Sequence, residues 1–313
     1  MTLRVEHGFS PRSDGAAPVA LTIGSFDGLH LGHVRLLEET VRAAHDIGGE
    51  SVVVTFEPNP RCVVDPGNCP QSLTTLDEKQ DVIAAHGIDR LVVVEFTREF
   101  GESTADTFCG LLAESFALRA LVVGEYFALG HHRQGDVPFL KEWGSNAGVA
   151  VTVVEPVLVG NIMVSSTLVR RALVAGELAR ANELLGHRYF IDAPVEHGDR
   201  VGTALGYPTA NLGIGAGKCL PQQGIYATWL RVGSTWHMAA TSIGFRPTFG
   251  GDHLTVEAFV LDFEGDLYER PVRAAFVGRL REERTYRDVA SLSAQIAIDV
   301  EDTRRVLERA PHP

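Results

Sequence analysis

The chain is short of positive charge. Its 313 residues carry 28 lysines and arginines against 40 aspartates and glutamates, a formal net charge of −12. A general nucleic-acid or anionic-membrane surface needs a basic face, so neither partner is expected. Any triphosphate bound here requires locally placed positive groups. Cysteine is also scarce: Cys62, Cys69, Cys109 and Cys219 form no CxxC pair, and no histidine stands in zinc-finger spacing. Reduced thiols are the expectation. The start, Met1-Thr2-Leu3-Arg4-Val5-Glu6-His7, lacks a basic region followed by an apolar stretch, and no apolar run approaches membrane-spanning length. A cytoplasmic location follows as an expectation. Repeats and low-complexity tracts are absent as well, and 45% hydrophobic with 22% charged residues is ordinary for a globular chain long enough for two cores.

The first half alternates short apolar runs with amphipathic segments. Val19–Ser25, Ser51–Phe56, Arg90–Phe96, Ala120–Tyr126 and Val149–Val157 are β-branched and unalternating, as strands covered on both faces should be. Helices are predicted over His33–Asp46, from Asp77 with Thr75 and Glu78 in capping-box spacing, and over Ala105–Leu118 with Thr104 as cap. Two shorter ones, Thr167–Ala175 and Glu177–Leu185, are punctuated by Gly176 and Gly186. This is the pattern of a parallel α/β sheet. After Gly186 the texture changes to Tyr189–Val195, Ile225–Val232, His237–Ile243, Leu254–Phe263 and Pro271–Leu280, joined by short turns that suggest antiparallel neighbours. An antiparallel barrel closes such strands economically. A last helix, Asp288 to about Leu307, should pack Val289, Leu292, Ile296 and Val300 against it. Two domains are expected, 1–186 and 187–313.

Chemistry enters at Gly24-Ser25-Phe26-Asp27-Gly28-Leu29-His30-Leu31-Gly32-His33. If Val19–Ile23 is a buried strand and a helix follows, His30 and His33 sit where that helix's positive end and free N–H groups favour an anion. Gly32 between them lets a triphosphate approach the backbone. The bland reading is a small-residue turn with two surface histidines. Further on, Ser165-Ser166-Thr167 standing alone would read as a helix cap, and Pro208-Thr209-Ala210-Asn211 as a turn. In an extended segment Thr209 and Asn211 face one side and can share a hard cation through oxygen. Glu257 lies within the apolar run Leu254–Leu261, where a carboxylate is costly unless it has a role or faces solvent.

These segments together resemble a known family. The GxFDGxHxGH arrangement is similar to the ATP-binding corner of the bacterial bifunctional riboflavin kinase/FMN adenylyltransferases, within the wider HxGH nucleotidyltransferases. Ser165-Ser166-Thr167-Leu168-Val169-Arg170 resembles their SSTxxR segment, and Gly206-Tyr207-Pro208-Thr209-Ala210-Asn211 their GFPTAN signature. The resemblance runs in one order over nearly the whole chain. It implies a Rossmann-like adenylyltransferase domain followed by a riboflavin kinase barrel, with riboflavin, FMN, ATP and Mg²⁺ as substrates and cofactor.

Residue by residue, the resemblance makes His30, His33 and Arg170 the catalytic groups of adenylyl transfer and Glu257 the general base of the kinase. Gly24, Phe26, Gly32, Ser166 and Thr167 would bind ATP in the first domain, and Gly198, Gly202 and Gly206 in the second. Asn59, Tyr126, Phe127 and Arg281 would meet flavin, and Thr209 and Asn211 the metal. Several positions depart from the pattern. Met163 stands where a basic residue is usual, Asn59 replaces a histidine, Tyr126 an acid or amide, and Leu129 a phenylalanine. Val201 and Thr203 occupy the places of two arginines, with Arg200 displaced by one position. They leave open an altered acceptor, a single active module, or a flavin- or nucleotide-binding protein without turnover.

Overall fold

The computed structural model describes residues 2–197, 207–248 and 251–313. The chain divides into two compact units, Met1–Ser166 and Thr167–Pro313.

In the first unit the chain runs through β1 (Arg4–His7), β2 (Val19–Ile23), α1 (Leu31–Asp46), β3 (Glu50–Glu57), α2 (Pro60–Val64), α3 (Leu76–Ala85), β4 (Arg90–Glu95), α4 (Arg98–Gly101), α5 (Ala105–Ser115), β5 (Leu118–Gly124), α6 (Val137–Ala147) and β6 (Ala150–Val154). A small hairpin, β7 (Leu158–Val159) with β8 (Ile162–Met163), ends it. The six main strands form one parallel sheet in the order β1-β4-β3-β2-β5-β6. Every residue of β2 is buried, which explains its unbroken apolar run. Having gone outward from β2 to β3 and β4, the chain returns to place β5 on the other side of β2. The carboxyl end of β2 is therefore the switch point at which open α/β sheets bind ligands.

The predicted elements of this unit are present with ends shifted by a few residues. Thr75 and Glu78 form the expected reciprocal capping box. β1 was not expected, because all four of its residues are exposed and carry no apolar signal. α6, opened by Asp136 as cap and closed by left-handed Gly148, also escaped the pattern. The expectation of reduced thiols is corrected in part: Cys62 and Cys69 are joined as a disulfide across the loop after β3, while Cys109 and Cys219 are free and buried.

The second unit begins with α7 (Ser166–Val174, its first residue belonging to the first unit) and α8 (Leu178–Leu185). Then follow β9 (Phe190–Glu196), β10 (Thr209–Leu212), β11 (Gly224–Val232), β12 (Thr235–Thr248), β13 (Gly251–Val260), β14 (Pro271–Arg281) and α9 (Val289–Leu307). The strands close into an antiparallel barrel, β10-β13-β12-β11-β14-β9, so each described strand is paired on both sides. The two short helices belong with this barrel by their bonding. Leu173 O accepts from Gln222 N–H at 2.9 Å. Asn182 donates to Phe276 O at 3.0 Å and accepts from Tyr189 N–H at 2.7 Å. The packing division thus falls ahead of Gly186.

The expected stripe on α9 holds except at its first residue: Val289 is 64% exposed, Leu292, Ile296 and Val300 are half-buried, and Asp299, Thr303 and Leu307, all buried, extend the inward face. Hydropathy could not select Asp299, whose burial is made tolerable by a bidentate partner: Arg281 Nε and Nη2 donate to its two oxygens at 2.7 and 2.6 Å.

Candidate active sites

At the carboxyl end of β2 the backbone turns sharply, with Phe26, Gly28 and Leu29 all at positive φ (46°, 81° and 43°). Two of these are non-glycine residues, so the turn is strained and something must hold it. The side chains of Phe26 and Leu29 do so, fully buried in a cluster with Leu37, Val53 and Ile83. Asp27 adds a polar latch, its carboxylate accepting from the N–H groups of Leu73 and Thr74 at 2.8 and 3.1 Å. A Cβ on Gly28 would come within 2.6 Å of Leu73, so this position admits glycine for space as well as for φ.

The turn delivers His30 as the N-cap of α1 and His33 in its first turn. His30 Nδ1 accepts the His33 backbone N–H at 3.4 Å, so the proton of the neutral His30 ring sits on Nε2, as a donor. The two imidazoles stack at 3.8 Å with an interplanar angle of 17°, and Phe26 lies 5.2 Å from the His33 ring. Burial pushes His33 well below the usual histidine range, and the neighbouring His30 and Lys79 push the same way. Both rings can donate to phosphate oxygens, at a helix start with no acidic residue in its first turn. A Cβ on Gly32 would press on the His30 ring at 3.2 Å, so this glycine makes room for the histidine.

Ser166 reaches the same corner, its Oγ donating to Asp27 O at 2.8 Å. Thr167 and Arg170 follow it on α7. Phe26, expected among the ATP contacts, keeps its side chain wholly inside, so its part is to support the turn and His33. Gly24 lines a cavity of about 350 Å³ formed at the strand ends, walled by Phe56, Phe96, Phe100, Phe108 and Phe127. An aromatic-walled pocket of that size suits a flat heterocycle. Leu129 also lines it, filling the place of the phenylalanine it replaces. Of the expected flavin contacts Phe127 is there, whereas Tyr126 is 65% exposed and Asn59 caps α2, accepting from Arg61 N–H at 3.0 Å. Met163 stands on the exposed hairpin, outside the cavity.

In the barrel, pairing decides the second site. Ala210 and Leu212 of β10 point into the core, leaving Thr209 and Asn211 on the other face. Asn211 lies directly across from Glu257 of β13, and Thr209 Oγ1 donates to Glu257 Oε2 at 3.2 Å. Glu257 is half-buried on the wall of a cavity of about 320 Å³, together with Thr209, Phe259, Arg281, Glu283 and Tyr286. Arg281 reaches this wall with Nε and Nη2 committed to Asp299. Burial holds the Glu283 carboxyl above the usual carboxylate range against the pull of Arg281, and the Glu257 charge adds to the rise. Gly198, Gly202 and Gly206, with Arg200, Val201 and Thr203, lie outside the described residues.

A nucleotide-binding α/β unit whose central strand ends in paired histidines, followed by a barrel with a carboxylate beside hydroxyl and amide oxygens, defines a two-module phosphotransferase. Comparison with known proteins gives the particular kind. Residues 13–168 match the FAD synthetase family and residues 185–307 the riboflavin kinase family. Bifunctional riboflavin kinase/FMN adenylyltransferases are 32% identical in Listeria monocytogenes, covering 91% of each chain, and 36% identical in Escherichia coli K12, covering 89% of this chain and 90% of that one. That of Pseudomonas fluorescens is 34% identical over 98% of this chain and 97% of its own. A crystal structure of a macrolide-efflux protein from Streptococcus pneumoniae, 26% identical, has a TM-score of 0.87 over 97% of this chain and 99% of that one. The chain belongs to the bifunctional riboflavin kinase/FMN adenylyltransferase family, with ATP and flavins as its substrates. Among the described residues no helix is long and apolar enough to cross a membrane.

Sequence reasoning missed the aromatic wall contributed by Phe56, Phe96, Phe100 and Phe108, and it missed Lys79. The signal for the wall was the recurrence of phenylalanine at or beyond strand ends. The signal for Lys79 was a lysine on the Leu76/Ile83 stripe of α3.

Proposed function

We propose that this chain phosphorylates riboflavin in its barrel and adenylylates the resulting FMN at the His30–His33 corner. The boundary follows chemistry: residues 1–186, with Thr167 and Arg170, serve adenylyl transfer, and 187–313 serve the kinase. The observation that carries the reading is the stacked histidine pair at a helix start on the sheet's switch point.

In adenylyl transfer a phosphate oxygen of FMN attacks the α-phosphate of ATP and pyrophosphate leaves. No side chain need act as nucleophile, so positioning and charge stabilisation supply the rate. His30 and His33 donate to the α-phosphate oxygens, while Ser166, Thr167 and Arg170 hold the departing phosphates. Phe127 and the aromatic cavity seat the flavin ring.

In the kinase Glu257 takes the proton of the ribityl 5′-hydroxyl as that oxygen attacks the γ-phosphate and ADP leaves. Gly198, Gly202 and Gly206 supply backbone N–H groups to the phosphates, and Arg281 braces the flavin wall. Thr209 and Asn211, neutral oxygen donors beside one carboxylate, fit a Mg²⁺ that nucleotide phosphates also ligate. When bound, that ion offsets the charge of the transferring phosphoryl group. Incubation with riboflavin, ATP and Mg²⁺, with products resolved, should yield FMN and then FAD. Absence of FAD when FMN is supplied would remove the adenylyl-transfer reading, and absence of FMN the kinase reading.

A further inference from the structure

The adenylyl-transfer corner has to attract a highly charged nucleotide, yet burial and its neighbours push His33 well below the usual histidine range and the chain as a whole is acidic. A cation lies directly beneath it. Lys79 of α3 is only 5% exposed, and its Nζ donates to Thr55 Oγ1 at 3.2 Å. Thr55, fully buried on β3, uses its own proton to donate to Ser25 O at 3.3 Å, and Ser25 lines the aromatic cavity. A lysine is thus coupled through one hydroxyl to the backbone of the turn that presents the histidines.

No carboxylate among the described residues comes within ion-pair distance of this ammonium. The charged and titratable groups around it are Glu57 from the end of β3, Asp27 from the turn and His33 from α1. Asp27 is already engaged by the N–H groups of Leu73 and Thr74. An ammonium enclosed with a single neutral acceptor costs stability, and burial accordingly pushes Lys79 below the usual lysine range. Replacing such a group by an apolar side chain of the same length ought to stabilise the fold. A residue that destabilises its own unit beneath a ligand site has the signature of function bought with stability.

We propose that Lys79 is a positioning residue for adenylyl transfer, supplying the fixed positive charge beneath the glycine corner and bracing that corner through Thr55 and the Ser25 carbonyl. This rests on the assignment of adenylyl transfer to the His30–His33 corner. Lys79 does not reach substrate. It acts by raising the local potential where the triphosphate binds, and its charge opposes protonation of His33.

The test compares wild type with Lys79→Met and Thr55→Val, each assayed for FMN adenylylation, riboflavin phosphorylation and thermal unfolding. Lys79→Met should raise the melting temperature by about 2–4 °C. Wherever both folded and unfolded chains carry the lysine proton, the full cost of burying it is relieved. The gain should shrink as pH rises from the lowered folded-state value toward 10.5, because over that window the folded chain sheds the proton while the unfolded chain still holds it. Adenylylation should fall about 10–100-fold, chiefly through a higher KM for ATP, while riboflavin phosphorylation is unchanged. The acid limb of adenylylation should move to higher pH, because His33 loses a neighbour that holds its proton affinity down. Thr55→Val, which keeps the charge and cuts the brace, should lower kcat and leave that limb in place. Lys79→Met with wild-type adenylylation overturns the proposal, and so does loss of adenylylation accompanied by a fall in melting temperature, which marks a structural lysine. If wild type itself forms no FAD from supplied FMN, the failure lies with the assignment of the corner.

Discussion

Replacing Glu257 by glutamine separates the chemistry of the barrel from its architecture. Glu257 Oε2 accepts from Thr209 Oγ1 at 3.2 Å, and the amide oxygen of glutamine can accept the same bond in the same shape. The structural cost is the difference between a charged and a neutral hydrogen bond, about 1 kcal/mol. Loss of a general base costs about 10²–10⁴ in rate, equivalent to roughly 3–5 kcal/mol of barrier. The catalytic effect therefore exceeds the structural one by several-fold, and the variant should be folded and inactive as a kinase. FMN formation from riboflavin and ATP is measured beside adenylylation of supplied FMN, which should be unchanged. A second reading comes from Glu283: with the Glu257 charge gone, its carboxyl should ionise at lower pH, since that charge adds to the rise caused by burial. FMN production at the wild-type rate would take the role of base away from Glu257.

Three further outcomes are expected. His33→Ala should lower FAD formation by about a hundredfold or more while leaving FMN formation largely intact, and equal loss of both activities in steady-state assays would contradict two separate sites. Thiol titration should find no fast-reacting group in the native protein, since burial pushes Cys109 up to about 12 and Cys219 is enclosed, and two thiols after unfolding without reductant. Four thiols in the unfolded, unreduced chain would show that Cys62 and Cys69 are not bonded. Asp299→Asn leaves the Arg281 guanidinium with half its partner at a site where the two side chains are 15% and 6% exposed, so it should destabilise the second unit by about 3 kcal/mol. It should also raise the KM for riboflavin as Arg281 loosens in the cavity wall. Chemical denaturation with no change in midpoint would refute the first effect.

What could be read from the chain and what could not differ in kind. β2, α1 and the capping box at Thr75 were legible because each is decided by neighbours in sequence: an unbroken apolar run, a turn rich in glycine, a hydroxyl three residues before a glutamate. The pairing of Asn211 with Glu257 was not legible from spacing, because they stand 46 positions apart and only barrel register brings them opposite one another. The family resemblance named both residues; the register is what gives them a common chemistry. Asp299 and Lys79 failed for a different reason. Each is a charged residue on the inward face of a helix, where hydropathy expects leucine, and each is intelligible only through its partner: Arg281 from the last strand for one, and Thr55 from a neighbouring strand for the other. The two then part company. Asp299 has its charge matched by a bidentate arginine, so its burial secures the position of a helix. Lys79 has one neutral acceptor, so its burial costs stability that a methionine would not cost. A buried charge that is paired speaks first of structure. One held by a neutral hydroxyl beneath the corner proposed to bind phosphate speaks of the ligand that completes it.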